Sequence, residues 1–441
     1  MINYKKKSGK RKLIDKGIAI SIVGIIISTA FAVYYGQKSV STKQLNEAIQ
    51  SQNTELKEYI DSLLKVDPSK IVVDYNTGMD LYNRGQFKDA VQKFQEALDD
   101  QINSTGADSE EAGHIYCMSG LSKIYAGESD SIADLITAKN IYELNNSTYE
   151  LAVCYCYIAT AYFEIGVELQ NAYESIGQSM EYLRKYCPEA DVWMNLEADY
   201  SSAPEVLYRI CNFFRLMKEI QNLIGKMAIK VNQPNIAFWK FNLAIAMSEY
   251  LCIADKKLKY CAQEMDISDE TIEEYLRQIV RDGEFVEKVI EVPFYDTRMD
   301  ETNTILIDSE KTLYASVHKS KNTATYLTNR AMAELSLGEG DLAKTDCRLA
   351  DGIWDGLTYS YEKTNKPYTD LYMGLSFIWN SSTTAEIQKL SEENKDEALF
   401  YLDRAASFEH DVFGETPRLG YFYDALSIPY LAKEDYESAL E

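Results

Sequence analysis

The chain has 441 residues, 8 prolines, 8 cysteines and 33 tyrosines, and a formal net charge of −24. An acidic balance of this size argues against binding nucleic acid through phosphates and predicts repulsion from anionic lipid head groups. A basic protein or peptide partner is compatible with it, and long-range steering would help such a partner arrive.

The first element is basic. Lys5, Lys6, Lys7, Lys10, Arg11, Lys12 and Lys16 are opposed only by Asp15, so residues 1–16 carry +6 (seven positive, one negative) and the remainder −30. Residues 17–35 then run without a charge. That length suits the roughly 30 Å hydrocarbon core of a bilayer. Tyr34 and Tyr35 end the run, where interfacial aromatics belong, and the positive cluster predicts a cytoplasmic N-terminus with the rest of the chain outside the cytoplasm. A cleaved signal peptide is the competing reading, because Ala30-Phe31-Ala32 fits a small-x-small cleavage site.

Residues 36–67 predict a stalk helix. Leu45, Ile49, Gln52, Leu56, Tyr59 and Leu63 follow a 3-4 spacing, which gives either a short parallel coiled coil, and so a homodimer through residues 45–63, or a single amphipathic helix folded onto the first helical hairpin after it. Pro68 marks the boundary.

From Pro68 the helical period dominates. Gly78, Tyr82, Gly85, Ala90, Phe94 and Ala97 lie at offsets 0, 4, 7, 12, 16 and 19, and Ala331, Leu335, Gly338, Ala343, Cys347 and Ala350 repeat those offsets. Each set predicts a helix, a tight glycine turn and a second helix whose small residues admit the large ones of the first. Weaker copies pair Ala159, Phe163 and Gly166 with Ala172, Ile176 and Ser179, and pair Gly120, Ile124 and Gly127 with a less regular 132–144. Gly374 and Ile378 pair with Ala398, Leu402 and Ala405 across a polar insertion at 380–394. Leu431 and Ala439 open one more copy. The sequence stops inside its second helix, which leaves a short last helix and a longer parent chain both open. Residues 204–265 read as helical but off-consensus, with Ile210, Phe213, Phe214, Met217 and Ile220 on one apolar face. Residues 292–308 lack helical periodicity and read as a loop or short extended piece. The division expected is an N-terminal array over 68–290, a bridging loop over 291–322 and a C-terminal array over 323–441.

The segment YNTGMDLYNRGQFKDAVQKFQEAL, residues 75–98, resembles a tetratricopeptide repeat, with the pattern G-x3-Y-x2-G-x-F-x2-A-x3-F-x2-A met throughout. The proline that ends the family's repeat is missing in every copy. The resemblance implies an all-α solenoid of helical hairpins whose first helices line a concave binding face. On or beside those helices lie Tyr75, Tyr82, Tyr116, Tyr155, Tyr162, Tyr326 and Tyr372, the candidate partner contacts, since tyrosine gives rigid contact area. The family's peptide-terminus clamp needs lysine and asparagine there. The first repeat offers Tyr75, Asn76 and Met79 and does not support it.

No catalytic motif emerges. His114, His318 and His410 are far apart, and G-x-S-x-G and G-x4-G-K-[ST] are missing. Asp74-x-Asn76 with Gly78 fails as a calcium loop because the glycine is misplaced and no terminal glutamate closes it. Cys117, Cys154, Cys156, Cys187, Cys211, Cys252, Cys261 and Cys347 form no C-x-x-C and read as small core hydrophobes. Neither metal nor cofactor is expected. The function expected is a membrane-anchored, extracytoplasmic scaffold of a bacterial cell envelope that binds a protein or peptide. A permanent structural subunit is one rival, and an enzyme with a site in 204–308 is another.

Overall fold

The computed structural model describes residues 68–440 apart from 129, 167–168, 195–202, 265–288, 300–304, 358–364, 379–388 and 414–418. The basic tail, the apolar run 17–35 and the stalk lie outside the described residues.

The chain divides into two compact units, one ending at Ser147 and the other beginning at Thr148. The first unit holds α1 (Pro68–Asn83), α2 (Phe87–Thr105), α3 (Glu110–Ala126) and α4 (Ser131–Asn145). Gly78 explains how the first pair closes: a Cβ there would lie 2.8 Å from Cε1 of Phe94. Only a missing side chain lets the ring reach the α1 backbone. Gly85 makes the turn at φ 74°, in the left-handed region that glycine adopts freely. Ala90, Phe94 and Ala97 are fully buried with Ile71 and Leu98. Ser109 caps α3 by accepting from the Ala112 amide, and Gly127 ends it. In the second pair Gly120 faces Leu135, and Ser131, Leu135 and Ala138 take the three inward slots. The turn there is one residue shorter than in the first pair, and this shift is the source of the irregular spacing over 132–144.

The second unit holds α5 (Thr148–Ile165), α6 (Leu169–Tyr186), the short α7 (Ala190–Met194), α8 (Pro204–Lys230), α9 (Pro234–Glu264), β1 (Val289–Met299), β2 (Ile305–His318), α10 (Lys321–Ser336), α11 (Gly340–Trp354), α12 (Lys366–Ser376), α13 (Glu392–Phe413), α14 (Leu419–Ala432) and α15 (Tyr436–Leu440). Its pairs are α5 with α6, α8 with α9, α10 with α11, α12 with α13 and α14 with α15. The fold is the all-α stack of tetratricopeptide-like hairpins that the offsets imply. Ala159, Ala331, Ala343 and Ala350 are fully buried, and Gly166 and Gly338 turn at φ 77° and 83°.

The stretch 204–264 is a full repeat. Gly225, Ile229, Asn232, Ala237, Phe241 and Ala244 hold the offsets 0, 4, 7, 12, 16 and 19. Asn232 adopts φ 56° in the place of the turn glycine, as asparagine can. Among the described residues, Pro234–Cys261 of α9 is long and apolar enough to cross a bilayer, but 50% of its most apolar window is buried in this core.

The expected bridging loop is instead an antiparallel β-hairpin. β1 and β2 pair from Val289↔His318 to Met299↔Ile305, with an irregularity after Tyr295 where β2 carries three extra residues, 309–311. Nor does it split the stack. α10 packs directly on α8, with Asn329 Nδ2 donating to Asn222 Oδ1 at 2.8 Å and the Tyr326 hydroxyl donating to Glu219. The hairpin is an excursion between two adjacent repeats. Val292, Ala315 and Val317 pack beneath it on Ala244, Ile245, Ala324, Leu327 and Trp354.

Candidate binding face

The first helices of the second unit are tied in series by side chains. Lys226 Nζ donates to Glu164 Oε1 at 3.0 Å and Lys230 Nζ to the Phe163 carbonyl at 3.1 Å, joining α8 to α5. The Asn329 and Tyr326 bonds join α10 to α8. Thr328 and Thr369 hydroxyls lie 2.6 Å apart, and Asn365 Nδ2 donates to Thr325 Oγ1 at 3.0 Å, joining α12 to α10.

At the middle of this series lies α8, a helix of 27 residues in which only Glu205 and Lys230 are exposed. Tyr208, Arg215, Glu219, Asn222 and Lys226 are half-buried and recur at steps of 7, 4, 3 and 4, so they form one stripe. The opposite face, with Ile210, Phe213, Phe214, Met217 and Ile220, is buried. A polar stripe with both charge signs therefore runs along an otherwise enclosed helix. Phe163 borders it, with the Lys226 and Lys230 ammonium groups 5.0 and 4.9 Å from its ring centroid. Such a stripe offers donors, acceptors and charge to a polypeptide lying along it. The signal was in the sequence, since the residues lie on the face left over by the apolar set.

The candidate tyrosines are differently placed. Tyr75 is 8% and Tyr326 1% exposed, so both rings belong to the core. Tyr75 packs on Phe94 at 5.7 Å, and Tyr326 lies under the hairpin. Their rings are needed to fill the space that small neighbours leave. Tyr372 is half-buried with its hydroxyl directed at Met332 Sδ, 3.2 Å away. Tyr155 stacks on Tyr182 at 5.7 Å, and Tyr162 is half-buried against the α5–α8 core. Tyr82 and Tyr116 are half-buried in the first unit. There Tyr82 clusters with Phe87 and Tyr125 at 5.6 and 6.2 Å. Tyr75, Tyr82 and Tyr116 lie in the first unit, and Tyr155, Tyr162, Tyr326 and Tyr372 in the second.

One cluster of buried polar groups lies beside the hairpin. Arg330 grips Asp346 through Nε–Oδ2 at 2.6 Å and a second bond to Oδ1 at 2.7 Å, and donates to Asn242 Oδ1 at 2.9 Å. Its guanidinium carbon sits 4.8 Å from the Tyr295 ring centroid. All eight cysteines are buried, and burial pushes the thiols of Cys156 and Cys187 up to about 12.

No family model matches the chain, and no curated protein matches it. Among solved structures it is similar to yeast Tom70, at 12% identity and a TM-score of 0.30 over 99% of this chain and 91% of that one. It is also similar to the tetratricopeptide domain of P58(IPK), at 12% identity and a TM-score of 0.20 over 84% of this chain and 90% of that one. At such scores the fold rests on the hairpins themselves.

Proposed function

We propose that the chain is a scaffold whose first-helix face in the second unit binds a protein or peptide along α8. The supporting observation is the stripe of Arg215, Glu219, Asn222 and Lys226, aligned on a helix that is otherwise buried. Over the span 208–226 a helix extends about 27 Å, enough for a partner segment of several residues. The chain's −24 charge favours a partner of basic character. The uncharged run 17–35 and the basic residues before it support a single-pass membrane anchor with the repeats outside the cytoplasm. The reading as a binding protein rather than an enzyme is supported by residues 204–264, the first part of the sequence candidate 204–308 for a hidden catalytic site, being a structural repeat.

Affinity for the captured partner tests this. Asn222→Ala combined with Glu219→Lys should weaken binding at least tenfold, an effect of about 1.4 kcal/mol or more. Lys185→Glu, on α6 away from the stripe, should leave it unchanged. Equal affinity in the two variants would refute the assignment.

A further inference from the structure

Three side chains of α9 hold the β-hairpin. Asn242 acts like a neighbouring strand, its Nδ2 donating to the Tyr295 carbonyl at 2.9 Å and its Oδ1 accepting from the Tyr295 amide at 3.3 Å. Glu249 Oε1 accepts from the Ser316 amide at 3.0 Å. Asp255 Oδ2 lies 3.0 Å from His318 Nε2. A two-stranded hairpin is marginal alone, so its shape depends on this seat.

Two of the groups around the seat attract their neighbours differently with and without a proton. The His318 and Asp255 side chains are 4% and 0% exposed, and they attract as an ion pair only with the imidazole protonated. At Arg330, one cation faces two buried carboxyls. Asp346 takes the bidentate bond, while Glu334 Oε1 stands 3.7 Å from Arg330 Nε and neither Glu334 oxygen has a hydrogen-bond partner. Charge balance makes Glu334 a neutral acid in this packing. Ionised, it would compete for the guanidinium that also holds Asn242, and through Asn242 the Tyr295 backbone.

We propose that the hairpin is a proton-latched strap, seated while His318 and Glu334 carry protons and released as they lose them, uncovering the apolar surface of Ala244, Ile245, Ala324 and Trp354. The charged and titratable groups around the latch include Glu249 of α9 and Glu291 of β1 at Ser316, and Cys347 of α11 beside Glu334. Asp255 and Cys252 of α9 face His318. Arg330 of α10, Asp346 of α11 and Glu339 of the α10–α11 turn act on Glu334, and Tyr295 of β1 lies over Arg330.

Burial alone would lower the His318 imidazolium, but the hydrogen bond it donates to Asp255, together with the neighbouring Cys252, lifts it from 6.5 to about 9. Burial, then the Asp346 charge, drives the Glu334 carboxyl well above its usual range against the pull of Arg330. His318 binds its proton more tightly in the seated state, and Glu334 in the folded chain. Their stabilisation is therefore full below the unfolded values and is lost as pH rises, for His318 between 6.5 and about 9.

Hydrogen exchange of the full chain tests the latch, with peptides from 289–299 and 305–318 compared with peptides from 148–186. After correction for intrinsic exchange, opening of the hairpin should rise at least tenfold between about pH 6.5 and about pH 9.5, with α5 and α6 unchanged. Asp255→Asn should give at the lower pH the opening that the natural chain shows at the higher. Glu334→Gln, permanently neutral and of the same shape, should stay seated with a shallower pH dependence. Hairpin opening that is independent of pH, or that changes in step with α5 and α6, overturns the proposal.

Discussion

Gly225 of α8 faces the ring of Phe241 of α9 so closely that a Cβ at residue 225 would lie 2.7 Å from Phe241 Cδ1. Gly78 and Phe94 make the same contact sixteen positions apart in the first unit. One relationship between a missing side chain and a ring thus sets the helix spacing at both places.

Replacing Gly225 with alanine should therefore destabilise the chain, although alanine in a helix interior normally gains about 0.5–1 kcal/mol over glycine. Overpacking costs about 1–3 kcal/mol, so the net loss should reach about 2 kcal/mol. Adding Phe241→Leu should recover part of it. Denaturant midpoints of the single and double variants check this, and a stabilising Gly225→Ala would disprove the close contact.

Arg330 holds two buried partners at once. Arg330→Met leaves the Asp346 carboxylate and the Asn242 oxygen without it, and loss of one partner of a buried pair costs about 3–5 kcal/mol. Combining Arg330→Met with Asp346→Leu should restore most of the stability, since the pair itself contributes little against apolar residues of similar volume. Chemical unfolding of the two variants separates the cases.

The thiols should be silent. All eight cysteines are buried, so a thiol-reactive dye should label none of the described thiols in the native chain within minutes and all of them after denaturation. Rapid native labelling of any one would place it outside the core.

Much of this architecture is legible in the residues. The offsets anchored by Gly78 and Ala331 identify two repeats because both keep a glycine at the turn. The repeat anchored by Gly225 is hidden because Asn232 holds the left-handed turn position and Ile229 stands where the first repeat has Tyr82. The hairpin is hidden because Pro293 interrupts β1 and lacks an amide hydrogen, which argues against a central strand. A two-stranded sheet has only edge strands, so the proline is tolerated there. The candidate site is harder to read. Tyrosines on first helices can point to core or surface, and Tyr75 and Tyr326 fill the core. The stripe on α8 lies opposite the apolar set that the sequence shows, but its place between neighbouring first helices comes from the structure.

The most direct test of the binding account is site-specific photo-crosslinking in the native host, with the reactive group at residue 222 on the α8 stripe and, for comparison, at residue 177 on α6. The account predicts a discrete protein adduct from position 222 that is lost with Glu219→Lys, and none from position 177. The same adducts from both positions, or none from 222 while 177 reacts, would contradict it.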